Sequence, residues 1–263
     1  MAHNVPGPLY FEQQGKIGTP MVFLHSTPDD HRLWLYQCAH FSSWYRTIAI
    51  DLAGYGRSPA VQDGVTIADA AAACWEAVDR VSDGPIILHG NSIGSGVAQR
   101  MVEQNTHRVL ALILSGTGYS PSAEVFARWV ERYRSEGIGL RHRQLFDHFA
   151  PAVQNDPILA YYADMVVELN NAGTLPSVIA MNQANVDRPP ESYYRGIEVP
   201  TLIIAGTEDR SYRSSFDLHK LIAGSEHRSI DGAGHAPMIE TPWEYDRHVI
   251  EFLKKLGLFA GHE

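Results

Sequence analysis

Ile86-Ile87-Leu88-His89-Gly90-Asn91-Ser92-Ile93-Gly94 decides how this chain folds. A short run of branched apolar residues stops at a glycine, and Ser95-Gly96-Val97-Ala98 then opens a helical pattern. That is strand, sharp turn, helix, with Gly-x-Ser-x-Gly on the bend. The bend forces the serine backbone into a strained conformation and brings neighbouring chain close. Glycines at 90 and 94 remove the side chains that would collide. Ser92 is thereby held out on the turn with its hydroxyl exposed. The backbone N–H of Ile93 sits at the start of the helix, where donors are free and the helix dipole favours negative charge.

Outward from this turn, Met21–His25, Thr47–Asp51, Pro85–His89, Val109–Leu114 and Thr201–Ala205 read as buried strands, with Leu9–Gln13 as an earlier edge strand. Each is continuously apolar rather than alternating, as in a parallel sheet covered on both faces. Thr66 and Asp69 stand at capping-box spacing before an alanine-rich helix to Arg80, and Ser92–Gln104 forms the next helix. Thr241-Pro242-Trp243-Glu244 supplies an N-cap, a first-turn proline and an acid for a helix to about Lys255. Strand and helix in alternation predict an α/β fold with a doubly wound, mostly parallel sheet. The rhythm breaks from about Gly118 to Arg195, where the pattern is helical and rich in aromatic residues. The expected organisation is a core of residues 1–117 and 196–263, with residues 118–195 inserted as a helical lid.

Serine is a weak nucleophile and needs a base. The loop Asp231-Gly232-Ala233-Gly234-His235-Ala236 follows the strand around Ser229–Ile230 and precedes the last capped helix, which places His235 at the carboxyl edge of the sheet. The stretch Leu202-Ile203-Ile204-Ala205-Gly206-Thr207-Glu208-Asp209 is a strand ending in a loop with two carboxylates. Asp209 is preferred over Glu208 as the group that orients His235, because the shorter side chain is more easily held rigid. The predicted triad is Ser92, Asp209 and His235.

Composition narrows the function classes. The 263 residues are 44% hydrophobic and 19% charged, in the range of an ordinary globular protein. A formal charge of −9 repels polyphosphate, so nucleic acid is an unexpected partner, and it mildly discourages anionic substrates at long range. Two cysteines make no disulfide framework and suit a reducing, cytoplasmic setting. The 13 histidines fall at no metal-ligand spacing, and neither metal nor cofactor is expected. The first sixteen residues lack a basic start before an apolar core, and no run approaches the length of a membrane span, so neither leader nor membrane attachment is expected.

The order of Gly90–Gly94, then Asp209, then Gly234-His235 resembles the α/β-hydrolase fold superfamily over nearly the whole chain, with an esterase- or lactonase-like serine site. Asp51-Leu52-Ala53-Gly54-Tyr55-Gly56-Arg57-Ser58 resembles that family's Asp-x-x-Gly-x-Gly-x-Ser turn, a structural segment. The resemblance implies an oxyanion hole from the N–H groups of Ile93 and Thr27. The chain departs from the family at Ser26, where a glycine is usual after the histidine. The Ser26 hydroxyl then either enters the site or merely caps the turn. The pocket is expected to involve Ser26, Trp129, Phe146 and Met165. The expected function is hydrolysis of a carboxylic ester or lactone of a small, apolar or aromatic molecule. The alternatives are carbon–carbon bond hydrolysis of the meta-cleavage type, suggested by Asn91 before the serine, and a binding protein on the same scaffold. A serine at 92 argues against epoxide hydrolase or haloalkane dehalogenase chemistry, which in this fold uses a carboxylate there.

Overall fold

The computed structural model describes residues 4–119, 124–169, 174–186 and 189–259. Among these residues seven strands form one sheet in the order β1-β3-β2-β4-β5-β6-β7. They are β1 (Phe11–Gln14), β2 (Pro20–Leu24), β3 (Arg46–Ile50), β4 (Ile86–Asn91), β5 (Val109–Ser115), β6 (Thr201–Gly206) and β7 (Glu226–Ile230). Only β1 runs antiparallel, pairing Phe11 with Ile50, whereas every other pairing is parallel. The mostly parallel sheet is thus as the sequence predicts. β7 does not read as an apolar run because it lies on the edge and leaves most of its residues partly exposed.

Side chains alternate between two cores, one on each face of the sheet. Val22, Leu88, Leu112 and Ile203 join one cluster, and Phe23, Ile87, Ile113 and Ile204 the other. Both faces are covered by helices, which is why the strands look uniformly apolar. Helices α1 (Leu35–Phe41), α2 (Ile67–Asp79) and α3 (Ile93–Gln104) connect the first strands. The capping box on α2 is present, with Thr66 and Asp69 exchanging hydrogen bonds.

Between β5 and β6 the described residues include the helices α4 (Glu124–Glu136), α5 (Leu140–His148), α6 (Pro157–Leu169), α7 (Leu175–Ala184) and α8 (Glu191–Arg195). Helix α9 (Tyr212–Leu221) follows β6, and α10 (Pro237–Glu240) and α11 (Pro242–Lys255) close the chain. The expected cap at Thr241 is not formed. Its hydroxyl instead donates to the Pro237 carbonyl at 3.1 Å, because α10 ends directly against α11 and offers a nearer acceptor. Among the described residues no helix is long and apolar enough to cross a membrane.

Candidate active site

The turns after β2, β4, β6 and β7 converge at the carboxyl edge of the sheet, where parallel strands place all their outgoing loops together. Ser92 lies at φ 54° and ψ −116°, the only non-glycine residue at positive φ among those described. A Cβ on Gly90 would stand 2.5 Å from the Gly94 carbonyl oxygen, and one on Gly94 would stand 2.3 Å from that of Leu24. The bend therefore needs both glycines. Ser92 N–H donates to the Ser115 carbonyl at 2.9 Å, and Ser95 Oγ donates to that of Gly90 at 2.8 Å, which fixes the turn between β4 and β5.

His235 approaches from the loop after β7. Its Nδ1 lies 2.9 Å from Asp209 Oδ1, and its Nε2 is buried with no protein partner among the described residues. Asp209 also accepts from Ser211, through N–H at 3.0 Å and Oγ at 2.5 Å. Burial raises the Asp209 carboxyl, but the His235 charge and the hydrogen bonds from His235 and Ser211 overcome it and bring the pKa down to about 2. A carboxylate so held fixes the Nδ1–H tautomer, leaving Nε2 as the free lone pair. Glu208, the sequence rival, is exposed and its N–H serves the Ala233 carbonyl.

The His235 loop is itself held from below. The Glu240 carboxylate accepts from Gly234 N–H, Ala236 N–H and, from the helical insertion, Ala150 N–H, at 2.9 to 3.1 Å. His235 N–H donates to the His148 carbonyl at 2.7 Å, and the two imidazole rings lie 4.6 Å apart. Burial, with the charges of His235 and Arg210 beside it, holds His148 well below the ordinary histidine range, so it is neutral. Arg210 Nη2 lies 3.3 Å from His148 Nε2, which assigns the His148 proton to Nδ1.

Ser92 and His235 line one cavity of about 270 Å3. Ile93, Phe126 and Trp129 give it an apolar side, while Thr117, Asn182, Asn185 and Arg210 give it a polar one. Thr27 and Ile93 also line it, and neither backbone N–H has a protein acceptor among the described residues. Both are free for a developing oxyanion.

The predicted pocket residues divide. Trp129 lines the cavity, but Ser26, Phe146 and Met165 do not. The Ser26 hydroxyl donates to the buried Asp29 carboxylate, so it serves the turn. Phe146 packs between His142 and Phe149, and the Met165 carbonyl accepts from Arg32 at 2.6 Å. Sequence reasoning missed Gln144, His148 and Arg210. No motif marks the first two, whereas Arg210 directly follows Asp209. The Asp51 turn is structural: its carboxylate accepts from His31 N–H and Arg57 N–H at 2.7 and 2.8 Å.

Comparison with known proteins agrees with this architecture. The alpha/beta hydrolase fold model matches residues 19–242. The AB hydrolase superfamily protein YisY of Bacillus subtilis (strain 168) is 26% identical over 265 residues, spanning 93% of this chain and 94% of its own. A thermophilic esterase from Thermogutta terrifontis superposes with a TM-score of 0.79 at 25% identity, covering 97% of each chain. The enol-lactonase from Burkholderia xenovorans LB400 shares the fold, with a TM-score of 0.80 at 22% identity over 94% of this chain and 96% of that one. With a family match that runs through the elbow, the Asp209 loop and His235, this chain belongs to the alpha/beta hydrolase fold family.

Proposed function

We propose that the protein is a serine hydrolase that cleaves a carboxylic ester or lactone through an acyl-enzyme. The observation that carries this reading is the pairing of His235 Nδ1 with Asp209 while its Nε2 stays unpaired in the cavity that Ser92 also lines. In the reaction His235 Nε2 takes the Ser92 proton as Oγ bonds to the substrate carbonyl carbon. The oxygen that becomes negative is stabilised by the N–H groups of Thr27 and Ile93. The carbon–oxygen bond to the leaving alcohol then breaks, and the alcohol departs with the proton held by His235. Water, deprotonated by His235, attacks the acyl carbon, and the acid and Ser92 are released. In a lactone the alcohol stays tethered to the product. Helices α4 to α7 act as a lid over this cavity, with Phe126 and Trp129 of α4 and Asn182 of α7 closing its sides. The esterase similarity at 25% identity supports the ester class.

A fluorophosphonate probe tests the reading. The wild-type protein is expected to be labelled at Ser92 and to lose p-nitrophenyl ester hydrolysis in step with labelling. Ser92→Ala is expected to show neither. A folded wild-type protein that resists the probe, or an alanine variant that still turns over ester, overturns it.

A further inference from the structure

We propose that Arg210 forms a carboxylate subsite at one end of the cavity, so that the substrate is an ester or lactone bearing a second, ionised carboxyl group. The inference rests on the serine hydrolase reading and names the substrate class that reading leaves open. Its starting point is that some arginines of this molecule hold a carboxylate while others, such as Arg57 on the Tyr10 hydroxyl and Arg80 on the Leu9 carbonyl, hold neutral partners, but only Arg210 among the described arginines lines the cavity. Arg32 pairs with Asp30, Arg108 with Asp79 and Arg247 with Glu251, all within 2.8 Å. Arg210 has no carboxylate within ion-pair reach among the described residues, although its side chain is exposed and lines the cavity beside Ser92 and His235. Its neighbour in sequence, Asp209, is occupied by His235 and Ser211.

The partners Arg210 does have are neutral. One nitrogen donates to His148 Nε2 at 3.3 Å, and the guanidinium lies 5.4 Å from the centre of the Trp129 ring. These contacts orient the planar fork and leave its other N–H donors without a protein acceptor among the described residues. The hydroxyls nearby cannot supply the missing charge. Ser211 Oγ donates to Asp209, and Ser214 Oγ donates to the Ser211 carbonyl at 3.0 Å. Surrounding protein lowers the guanidinium pKa, with Asp209 and Asp147 acting in the opposite sense, but an arginine stays charged throughout. A cation lining a cavity, oriented but with no carboxylate within ion-pair distance among the described residues, gains from an arriving carboxylate, which can accept two parallel N–H bonds. The apolar side of the cavity, Ile93, Phe126 and Trp129, suits the methylene stem between that carboxylate and the reacting carbonyl. The net charge of −9 discourages anions at a distance, so the preference must come from this local group.

Matched pairs of methyl esters test it: the monomethyl esters of succinic, glutaric and adipic acid against the same esters with the free acid replaced by a primary amide. Size and polarity are kept, and only the charge changes. In the wild-type protein kcat/KM is expected to favour the acid over its amide by about tenfold or more at the best chain length. Arg210→Met is expected to bring that ratio to one or below, and Arg210→Lys to retain part of it. If Arg210 serves only to steady His148, Arg210→Met lowers both substrates equally and the ratio stands, which overturns the subsite. An acid-to-amide ratio of one or less at every chain length in the wild type overturns it as well. Calorimetric titration of monomethyl glutarate into Ser92→Ala, with and without Arg210→Met, reads the same subsite without any turnover. Binding that needs Arg210 supports it even in a protein the fluorophosphonate probe does not label, whereas a labelled enzyme that binds acid and amide alike loses the subsite and keeps the hydrolase reading.

Discussion

Asp209 carries three donated hydrogen bonds and an adjacent imidazole in a buried position, and its ionisation is therefore tied to folding. Its pKa of about 2 in the fold lies below the ordinary carboxylate value of 3.8. A depressed carboxylate contributes stability that is fully present above the unfolded value and is lost as pH falls through the folded one. The shift corresponds to about 2 kcal/mol, present above pH ~4 and gone near pH 2. Asp209→Asn is expected to lower kcat by about 10,000-fold, since an amide no longer holds the reactive tautomer. Its stability deficit, read from urea unfolding, is expected to be largest at pH 7 and to shrink between pH 4 and pH 2. A deficit that does not vary with pH would show that the carboxylate charge is not what the fold uses. This residue was readable from sequence as one of two neighbouring carboxylates on a loop. His148 and Arg210 were not, because their roles come from rings and charges that meet only where the end of α5 packs against the loops after β6 and β7.

At the scale of elements, the insertion and the loop after β2 hold each other. Gln144 of α5 donates to the Thr27 carbonyl at 3.3 Å and accepts from the Tyr133 hydroxyl. Tyr162 of α6 donates to Asp29 at 2.5 Å, and Arg32 reaches the Met165 carbonyl. Asp29 is buried, and that burial raises its pKa despite the bonds from Ser26 and Tyr162. Removing the phenol leaves the buried carboxyl short of a donor. Tyr162→Phe is thus expected to cost about 1–3 kcal/mol of stability. It should also lower kcat more than it changes KM, because Thr27 belongs to the same loop and one lost oxyanion donor is worth about 100-fold. Urea midpoints and steady-state kinetics check both effects. Tyr161→Phe is the control, since Tyr161 is 65% exposed one position away; equal behaviour of the two variants would dissolve the proposed coupling. Periodicity and aromatic content made the helices between β5 and β6 legible. What they touch was not, which is why Phe146 and Met165 were expected at the cavity and lie against the second core instead.

For the whole molecule, the sheet positions the chemistry without taking part in it. The continuous apolar strands were legible because both faces are covered, and the half-exposed edge strand β7 showed only its end around Ser229–Ile230, whereas helices α1 and α9 carry too little pattern to stand out. Leu88 shows what this division of labour implies. It sits two residues before Gly90, fully buried, beside Val22 on one neighbouring strand and Leu112 on the other. Leu88→Ala opens a cavity in a layer that backbone pairing prevents from collapsing, at a cost of about 2–5 kcal/mol. The elbow itself is fixed by backbone and hydroxyl bonds at Ser92 and Ser95, none of which involves the Leu88 side chain. The variant is therefore expected to unfold at distinctly lower urea while its kcat, measured well below the unfolding transition, stays within about threefold of wild type. A hundredfold loss of kcat in a folded Leu88→Ala protein would mean that core packing, rather than the local geometry of the turn, aims the Ser92 hydroxyl.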